Sequence, residues 1–193
     1  AAAACGGGDD GVPIIRTDAD YRQANAEAQA LSEDILTRYD QGDELLEHEK
    51  VNLKRAAQKF EGMLGFAPQL YAPYFGAGKI YFVLEDYDRS IDRLERCVRA
   101  AHVEQPEARA TAAEALYICS QAFEKKLDYD NAEKAARGAT ELMPVSPNYW
   151  AARASAEVQM DKLDDAREHL KKALELDPEH ARAKSLLNFI EKS

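Results

Sequence analysis

The chain has 193 residues, a formal net charge of −10 and a pI near 5.0. That charge argues against a general nucleic-acid-binding protein, which needs a dense cationic surface against phosphates. No apolar run approaches the roughly 20 residues that span a bilayer. The abundance of Ala, Glu, Lys, Leu and Arg favours helices. The composition therefore predicts an all-α protein, in one domain or two small ones.

The negative charge is concentrated at the N-terminal end. Residues 1–50 carry 12 Asp or Glu against 4 Lys or Arg, a net charge of −8, whereas residues 51–193 carry 23 against 21, a net of −2. The net negative charge therefore bears on the surroundings of the N-terminal region. It says little about what residues 51–193 bind.

The first residues, AAAACGGGDDGVP, lack an initiator Met, so we expect a processed product. Ala2–Ala4 before Cys5, followed by Gly6–Gly8, resemble the junction of a bacterial lipoprotein, although that family usually has Leu where Ala2 stands. The resemblance implies a lipid anchor at Cys5, a flexible tether over residues 1–16 and a location on the periplasmic side of the envelope. The alternatives are a plain linker or tag remnant, and a cytoplasmic protein.

Residues 17–70 predict an antiparallel helix hairpin that includes a degenerate first repeat. Thr17 or Asp18 can cap a first helix whose apolar residues recur at three- and four-residue steps. Gly42 is expected just past the end of that helix, with Asp43 capping a second helix that runs towards Pro68.

Four columns of residues recur at common steps of 34, 42 and 34 residues. They are Ala56, Ser90, Ala132 and Ala166; Phe60, Leu94, Ala136 and Leu170; Met63, Cys97, Ala139 and Ala173; and Pro68, His102, Pro144 and Pro178. Small residues in the first column let neighbouring helices approach closely, and proline ends a helix. Columns that share the same offsets indicate an internal repeat.

The predicted first helices of these units agree with one another. Three further columns hold Tyr74, Leu116 and Trp150; Gly78, Ser120 and Ala154; and Tyr81, Phe123 and Glu157. Together these residues resemble the tetratricopeptide repeat, a helix–turn–helix unit with the motif W-x2-L-G-x2-Y, then A-x3-F, then P. Residues 147–178 fit best, although Arg153 stands where the family prefers Leu. The resemblance covers about residues 43–193 and implies a right-handed solenoid of helix pairs.

The expected organisation follows from the repeat. It comprises the tether (1–16), the hairpin (17–70), three repeats (71–112, 113–146 and 147–180) and a capping helix (181–193). The 42-residue step puts eight extra residues between Cys97 and Leu116. We expect extended helices there, meeting at a turn around Glu104–Pro106.

No catalytic or cofactor motif is present in the sequence. HExxH, CxxC, GxSxG, P-loop and GxGxxG patterns are absent, so neither an enzyme, nor a metal site, nor a cofactor is expected. The four histidines, His48, His102, His169 and His180, are scattered over charged helical stretches and are expected at the surface.

Two other residue sets have ordinary structural explanations. Cys97 and Cys119 occupy predicted core positions, where buried free thiols are favoured over a disulfide. Arg89, Arg93, Arg96 and Arg99 form a stripe with interspersed carboxylates, which predicts a solvated, salt-bridged face rather than an anion site.

In the resembling family, first helices line a concave groove that holds an extended peptide or a partner helix. The residues at these places are Phe75, Lys79 and Phe82 at an aromatic end, then Tyr117, Gln121, Glu124, Lys125, Asn148, Ser155 and Gln159 at a polar end. The resemblance therefore implies a non-catalytic scaffold for a protein or peptide partner, an envelope-tethered assembly factor if Cys5 is the anchor. Two alternatives stay open: Phe75 and Phe82 pack under the hairpin, or the chain associates with copies of itself.

Overall fold

The computed structural model describes residues 12–192, which form nine α-helices and contain no β-sheet. Helix α1 spans Asp18–Asp40, α2 Glu47–Phe66, α3 Tyr71–Val83, α4 Tyr87–Ala100, α5 Pro106–Lys125, α6 Tyr129–Leu142, α7 Pro147–Gln159, α8 Leu163–Leu176 and α9 Ala181–Lys192. The all-α prediction is confirmed. Within these described residues, no helix combines the length and the apolar character needed to cross a membrane.

The chain divides into two compact units, each with its own helices. Of the described residues, the first unit comprises 12–100 and holds α1 to α4, and the second comprises 101–192 and holds α5 to α9. Within each unit, consecutive helices pack against each other.

Helices α1 and α2 form the predicted antiparallel hairpin. Glu27 of α1 pairs with Lys59 of α2, and Arg38, farther along α1, pairs with Glu49, which lies earlier on α2. This reversed order of the paired residues shows that the helices run in opposite directions. Thr17 caps α1, since its Oγ1 accepts a hydrogen bond from the Asp20 amide at 3.1 Å.

The turn between these helices is partly as predicted. Gly42 follows α1 with a φ of +99°, a left-handed conformation that glycine adopts without steric cost. The prediction that Asp43 caps α2 is wrong, because α2 begins four residues later, at Glu47. The cap comes from inside the helix instead: the Leu46 amide donates to Glu49 Oε2 at 2.9 Å.

The repeat columns form the cores of both units. Ala56, Ser90, Ala132 and Ala166 are each 0% exposed, and the other two apolar columns are buried as well. The fourth column, which follows each second helix, is at the surface. Ser90 keeps its polar group satisfied, because its Oγ donates to the Gly78 carbonyl at 2.9 Å. The columns therefore mark helix contacts, as the spacing predicted.

The 42-residue step lengthens one helix rather than several. Helix α5 has 20 residues where α3 and α7 have 13, whereas α4 has the same 14 residues as α6 and α8. The expectation of extended helices on both sides of the turn is therefore wrong for α4. Pro106 begins α5, because its missing amide hydrogen has no partner to lose in the first turn.

Candidate partner-binding face

Helices α5, α7 and α9 of the second unit lie side by side, with α7 in contact with both others. We call the surface that they share the first-helix face. All seven predicted groove residues of this unit belong to α5 or α7: Tyr117, Gln121, Glu124, Lys125, Asn148, Ser155 and Gln159. Lys125, Asn148 and Gln159 are exposed, and the other four are partly buried.

Arg182 of α9 joins the two other helices of this face. Its Nη2 donates to both carboxylate oxygens of Glu124, at 2.9 and 3.2 Å, and to Ser155 Oγ at 2.7 Å. The sequence analysis did not single out Arg182. The 34-residue step could have found it, because Arg182 stands one repeat after Asn148.

His180 holds a second contact between α9 and α7. Its Nδ1 accepts from the Ala183 amide at 3.1 Å, so Nε2 carries the proton and donates to Asn148 Oδ1 at 2.8 Å. This tautomer leaves both N–H groups of the Asn148 amide available to a partner.

Tyr117 and Gln121 form the third ordered pair on the face. Gln121 Nε2 donates to Tyr117 Oη at 3.0 Å, and the Tyr117 ring lies 5.2 Å from that of Tyr149. Tyr149 is fixed in turn, since its hydroxyl donates to Glu114 at 2.9 Å. Burial, together with the Glu114 carboxylate, raises the pKa of Tyr149, which stays protonated and keeps this hydrogen bond.

The three predicted residues of the aromatic end lie in the first unit, where two of them contact neighbouring helices. Lys79 Nζ donates to Asp40 of α1 at 2.7 Å. Phe82 packs against the hydrophobic cluster that α1, α2 and α3 build, with its ring 5.9 Å from that of Tyr87. Phe75 is partly buried. The contacts of Phe82 are those of the alternative in which it packs with the hairpin.

A buried charged network joins α6, α7 and α8, and the sequence analysis missed it. Arg153 Nε lies 3.1 Å from Glu133 and 3.2 Å from Glu157, whose side chain is 3% exposed. His169 Nδ1 donates to Glu157 at 2.7 Å, and its ring stacks on Trp150. The surface prediction is therefore wrong for His169. Each charge meets an opposite or hydrogen-bonding partner, so the network links helices rather than presenting a reactive group.

The remaining candidate residues have the structural roles that the sequence predicted. Cys97 and Cys119 are buried thiols outside any disulfide, and burial raises the pKa of Cys97 to about 12, which makes it a poor nucleophile. Along the arginine stripe of α4, Arg93 pairs with Glu61 at 2.8 Å and the other three pair with carboxylates on their own segment. Cys5 lies outside the described residues.

Known structures resemble this fold. MamA matches with a TM-score of 0.68 and 18% identity, over 89% of this chain and 82% of MamA. YrrB, described as a tetratricopeptide-repeat protein with an unusual peptide-binding site, matches with a TM-score of 0.62 and 21% identity, over 86% of this chain and 84% of YrrB. The second such domain of human RPAP3, in complex with an HSP70 peptide, matches with a TM-score of 0.53 and 25% identity, over 60% of this chain and 90% of that domain.

A sequence model of a family also matches part of the chain. The tetratricopeptide-repeat model covers residues 147–188, which include α7, α8 and the first residues of α9. This segment contains the best-fitting copy of the motif, and its buried columns recur in the preceding helix pairs. Residues 147–188 therefore match a tetratricopeptide repeat, and the fold of the chain resembles that of solved tetratricopeptide-repeat proteins.

Proposed function

We propose that this chain is a protein-interaction scaffold and that the first-helix face of its second unit holds an extended segment of a partner. The observation that carries the proposal is the row of polar side chains that hydrogen bonds already hold in place there. Gln121 is held by Tyr117, Ser155 by Arg182, and Asn148 by His180. The peptide-bound state of the human RPAP3 domain supports the same use of the fold.

The side chains of this row suit a peptide main chain. An amide group both donates and accepts, so Asn148, Gln121 and Gln159 can pair with backbone carbonyls and N–H groups whatever the partner's side chains. Gln121 uses one N–H for Tyr117, which leaves its oxygen and second N–H for a ligand. Side chains that are already ordered lose less conformational entropy on binding than free ones.

The first unit contributes less to this proposal. Lys79 is already paired with Asp40, and Phe82 is packed with the hairpin core. A partner would have to break the Lys79–Asp40 ion pair before it could bind Lys79. It could reach only the outer edge of the Phe82 ring. We therefore place the peptide on the second unit.

The proposal can be tested by selecting a phage-displayed library of random dodecapeptides on the full chain. Selected peptides are then measured by fluorescence anisotropy against two variants with the same change in charge. The face variant combines Lys125→Glu with Gln159→Glu, both exposed on the first-helix face. The control combines Lys171→Glu with Lys134→Gln, both exposed on second helices.

We expect the face variant to bind the selected peptides at least roughly tenfold more weakly, a loss of about 1.4 kcal/mol, and the control to bind them as the wild type does. Circular dichroism checks that both variants are folded. Equal binding by the two variants, or a selection that enriches no sequence, would contradict the proposal.

A further inference from the structure

A pocket of about 510 Å³ opens in the first unit, at the end where α1 turns into α2 and α3 turns into α4. Its apolar lining comes from Tyr39, Leu45, Val83 and Leu84. A volume between about 300 and 1,000 Å³ is typical of sites that enclose a ligand or an inserted side chain. These four residues also belong to or pack against the hydrophobic cluster of α1, α2 and α3, so the pocket opens at the edge of that core and lies apart from the first-helix face.

The charged groups around this pocket are unevenly paired. Its rim carries the carboxylates of Asp43, Glu44 and Glu85 and the ammonium groups of Lys50 and Lys54. Lys50 is already bound to Glu47 of its own helix at 2.6 Å. Among residues 12–192, none of the three rim carboxylates forms an ion pair. Three carboxylates thus face two ammonium groups, one of which is shared with Glu47, and the rim is acidic on balance.

The position of Glu85 is fixed by the backbone. Glu85 occupies the turn between α3 and α4 with a φ of 61°, and its amide donates to the Phe82 carbonyl at 3.0 Å. Its carboxylate lies close to two phenols: burial raises the pKa of both Tyr39 and Tyr87, and the Glu85 charge raises each further. Glu85 is exposed, so a cationic group of a partner can reach its carboxylate from solvent.

From this combination we infer that the pocket is a second docking site, which takes an aliphatic side chain of a partner peptide flanked by a single basic residue. The aliphatic group fills the space between Tyr39, Leu45 and Leu84, where it is removed from water. The basic residue lies against Asp43, Glu44 and Glu85. Lys54, on the α2 side, disfavours a second basic residue there.

Three acetylated and amidated tetrapeptides test the inference by titration into the 15N-labelled full chain. The first has the sequence Gly-Leu-Arg-Gly, the second replaces Leu by Ser, and the third replaces Arg by Glu. We expect the first peptide to shift the amide signals of residues 43–45 and 83–85. The Ser peptide should bind roughly tenfold more weakly, because the apolar contact is lost. The Glu peptide should cause no saturable shift at these residues.

A matched pair of variants separates the pocket from general electrostatics. Glu85→Gln removes one rim charge, and Asp161→Asn removes the carboxylate at the corresponding left-handed turn between α7 and α8, where φ is 59°. We expect Glu85→Gln to weaken the Leu-Arg peptide roughly three- to fivefold and Asp161→Asn to leave its affinity unchanged. The inference is overturned if the Glu peptide binds as well, if the shifts map elsewhere, or if both variants bind alike. None of these outcomes depends on whether the first-helix face binds a peptide.

Discussion

The α3–α4 pair of the first unit and the α7–α8 pair of the second unit fill one repeat position with opposite chemistry. In α3–α4 the position holds Tyr81, whose hydroxyl donates to Glu61 at 3.1 Å and whose ring lies under Arg89. In α7–α8 it holds Glu157, bonded to Arg153 and His169. Both side chains are buried. The position therefore tolerates either residue as long as its neighbours satisfy the polar atoms.

The same two pairs differ in how closely their helices approach. A Cβ added to Gly78 of α3 would lie 2.6 Å from Leu94 Cγ. The corresponding residue of α7 is Ala154, which already carries a Cβ and is 0% exposed beside the buried Leu170. The small-residue position thus sets the distance between paired helices, whereas the position of Tyr81 and Glu157 sets only which groups hold them together.

The largest effect is expected where the charged network is broken. Glu157→Ala leaves Arg153 and His169 without the carboxylate that they share, and the loss of one member of a buried pair costs about 3 kcal/mol. Urea unfolding followed by circular dichroism measures this loss in the free energy of unfolding. Tyr81→Phe serves as the comparison in α3–α4 and should cost about 1 kcal/mol, because only one hydrogen bond is lost.

A double substitution tests whether the residues of the repeat motif can replace the charged network without loss of stability. Arg153→Leu with Glu157→Tyr installs the residue types of the family motif at both places. We expect the double variant to recover at least half of the stability that Glu157→Ala loses, since Glu133 still has Arg137 at 3.9 Å. If the double variant is no more stable than Glu157→Ala, the two chemistries are not interchangeable at this position.

The next effect concerns the close approach at Gly78. Gly78→Ala gains helix propensity worth about 1 kcal/mol, but the new methyl group meets Leu94, and overpacking costs about 1–3 kcal/mol. We expect a net loss of about 1 kcal/mol in thermal or urea unfolding. Ala154→Gly, the reciprocal change, should also destabilise the protein, through lost propensity. A stabilising effect of Gly78→Ala would contradict the close approach of α3 and α4 at this position.

The sequence predicted the parts of this fold that repeat. The columns beginning at Ala56 and Phe60 are periodic, so position in the chain alone identified residues that prove to be buried. Asp43 and Glu49 show the limit of local signals, because both can cap α2 and only the packing of the hairpin selects the helix start. The pairing of His169 with Glu157 was missed because the two residues belong to different helices and His169 belongs to no column.

The candidate sites divide in the same way. Gln121, Asn148 and Ser155 were named from the repeat, since the family uses those places, and the structure adds the partners that hold them. The same repeat spacing could also have identified Arg182. The pocket in the first unit lay beyond it, because Tyr39, Lys54 and Glu85 come from three separate segments that share no spacing. A repeat motif predicts only residues that recur at its own spacing.

The smallest expected effect compares how the second helix of each pair begins. Asp86 precedes α4, and its Oδ1 accepts from the Arg89 amide at 3.2 Å. The corresponding Lys162 before α8 makes no side-chain cap. Asp86→Ala should therefore cost about 1 kcal/mol, and Lys162→Asn should stabilise the protein by up to about 1 kcal/mol, because Asn caps a helix without adding charge.

The pH dependence of stability distinguishes the Asp86 cap from the cap that Lys162→Asn would introduce. The Arg89 side chain, with help from its amide, holds the pKa of Asp86 below the ordinary 3.8. A lowered pKa in the folded state means that the contribution of Asp86 is fully present above its ordinary pKa and is lost as the pH falls through the lowered value. The difference in the free energy of unfolding between the wild type and Asp86→Ala should therefore be constant from pH 7 to about pH 5. It should become smaller at more acidic pH. The gain from Lys162→Asn should show no such narrowing, because asparagine does not titrate. Equal acid sensitivity of both differences would mean that the Asp86 charge adds nothing to its cap.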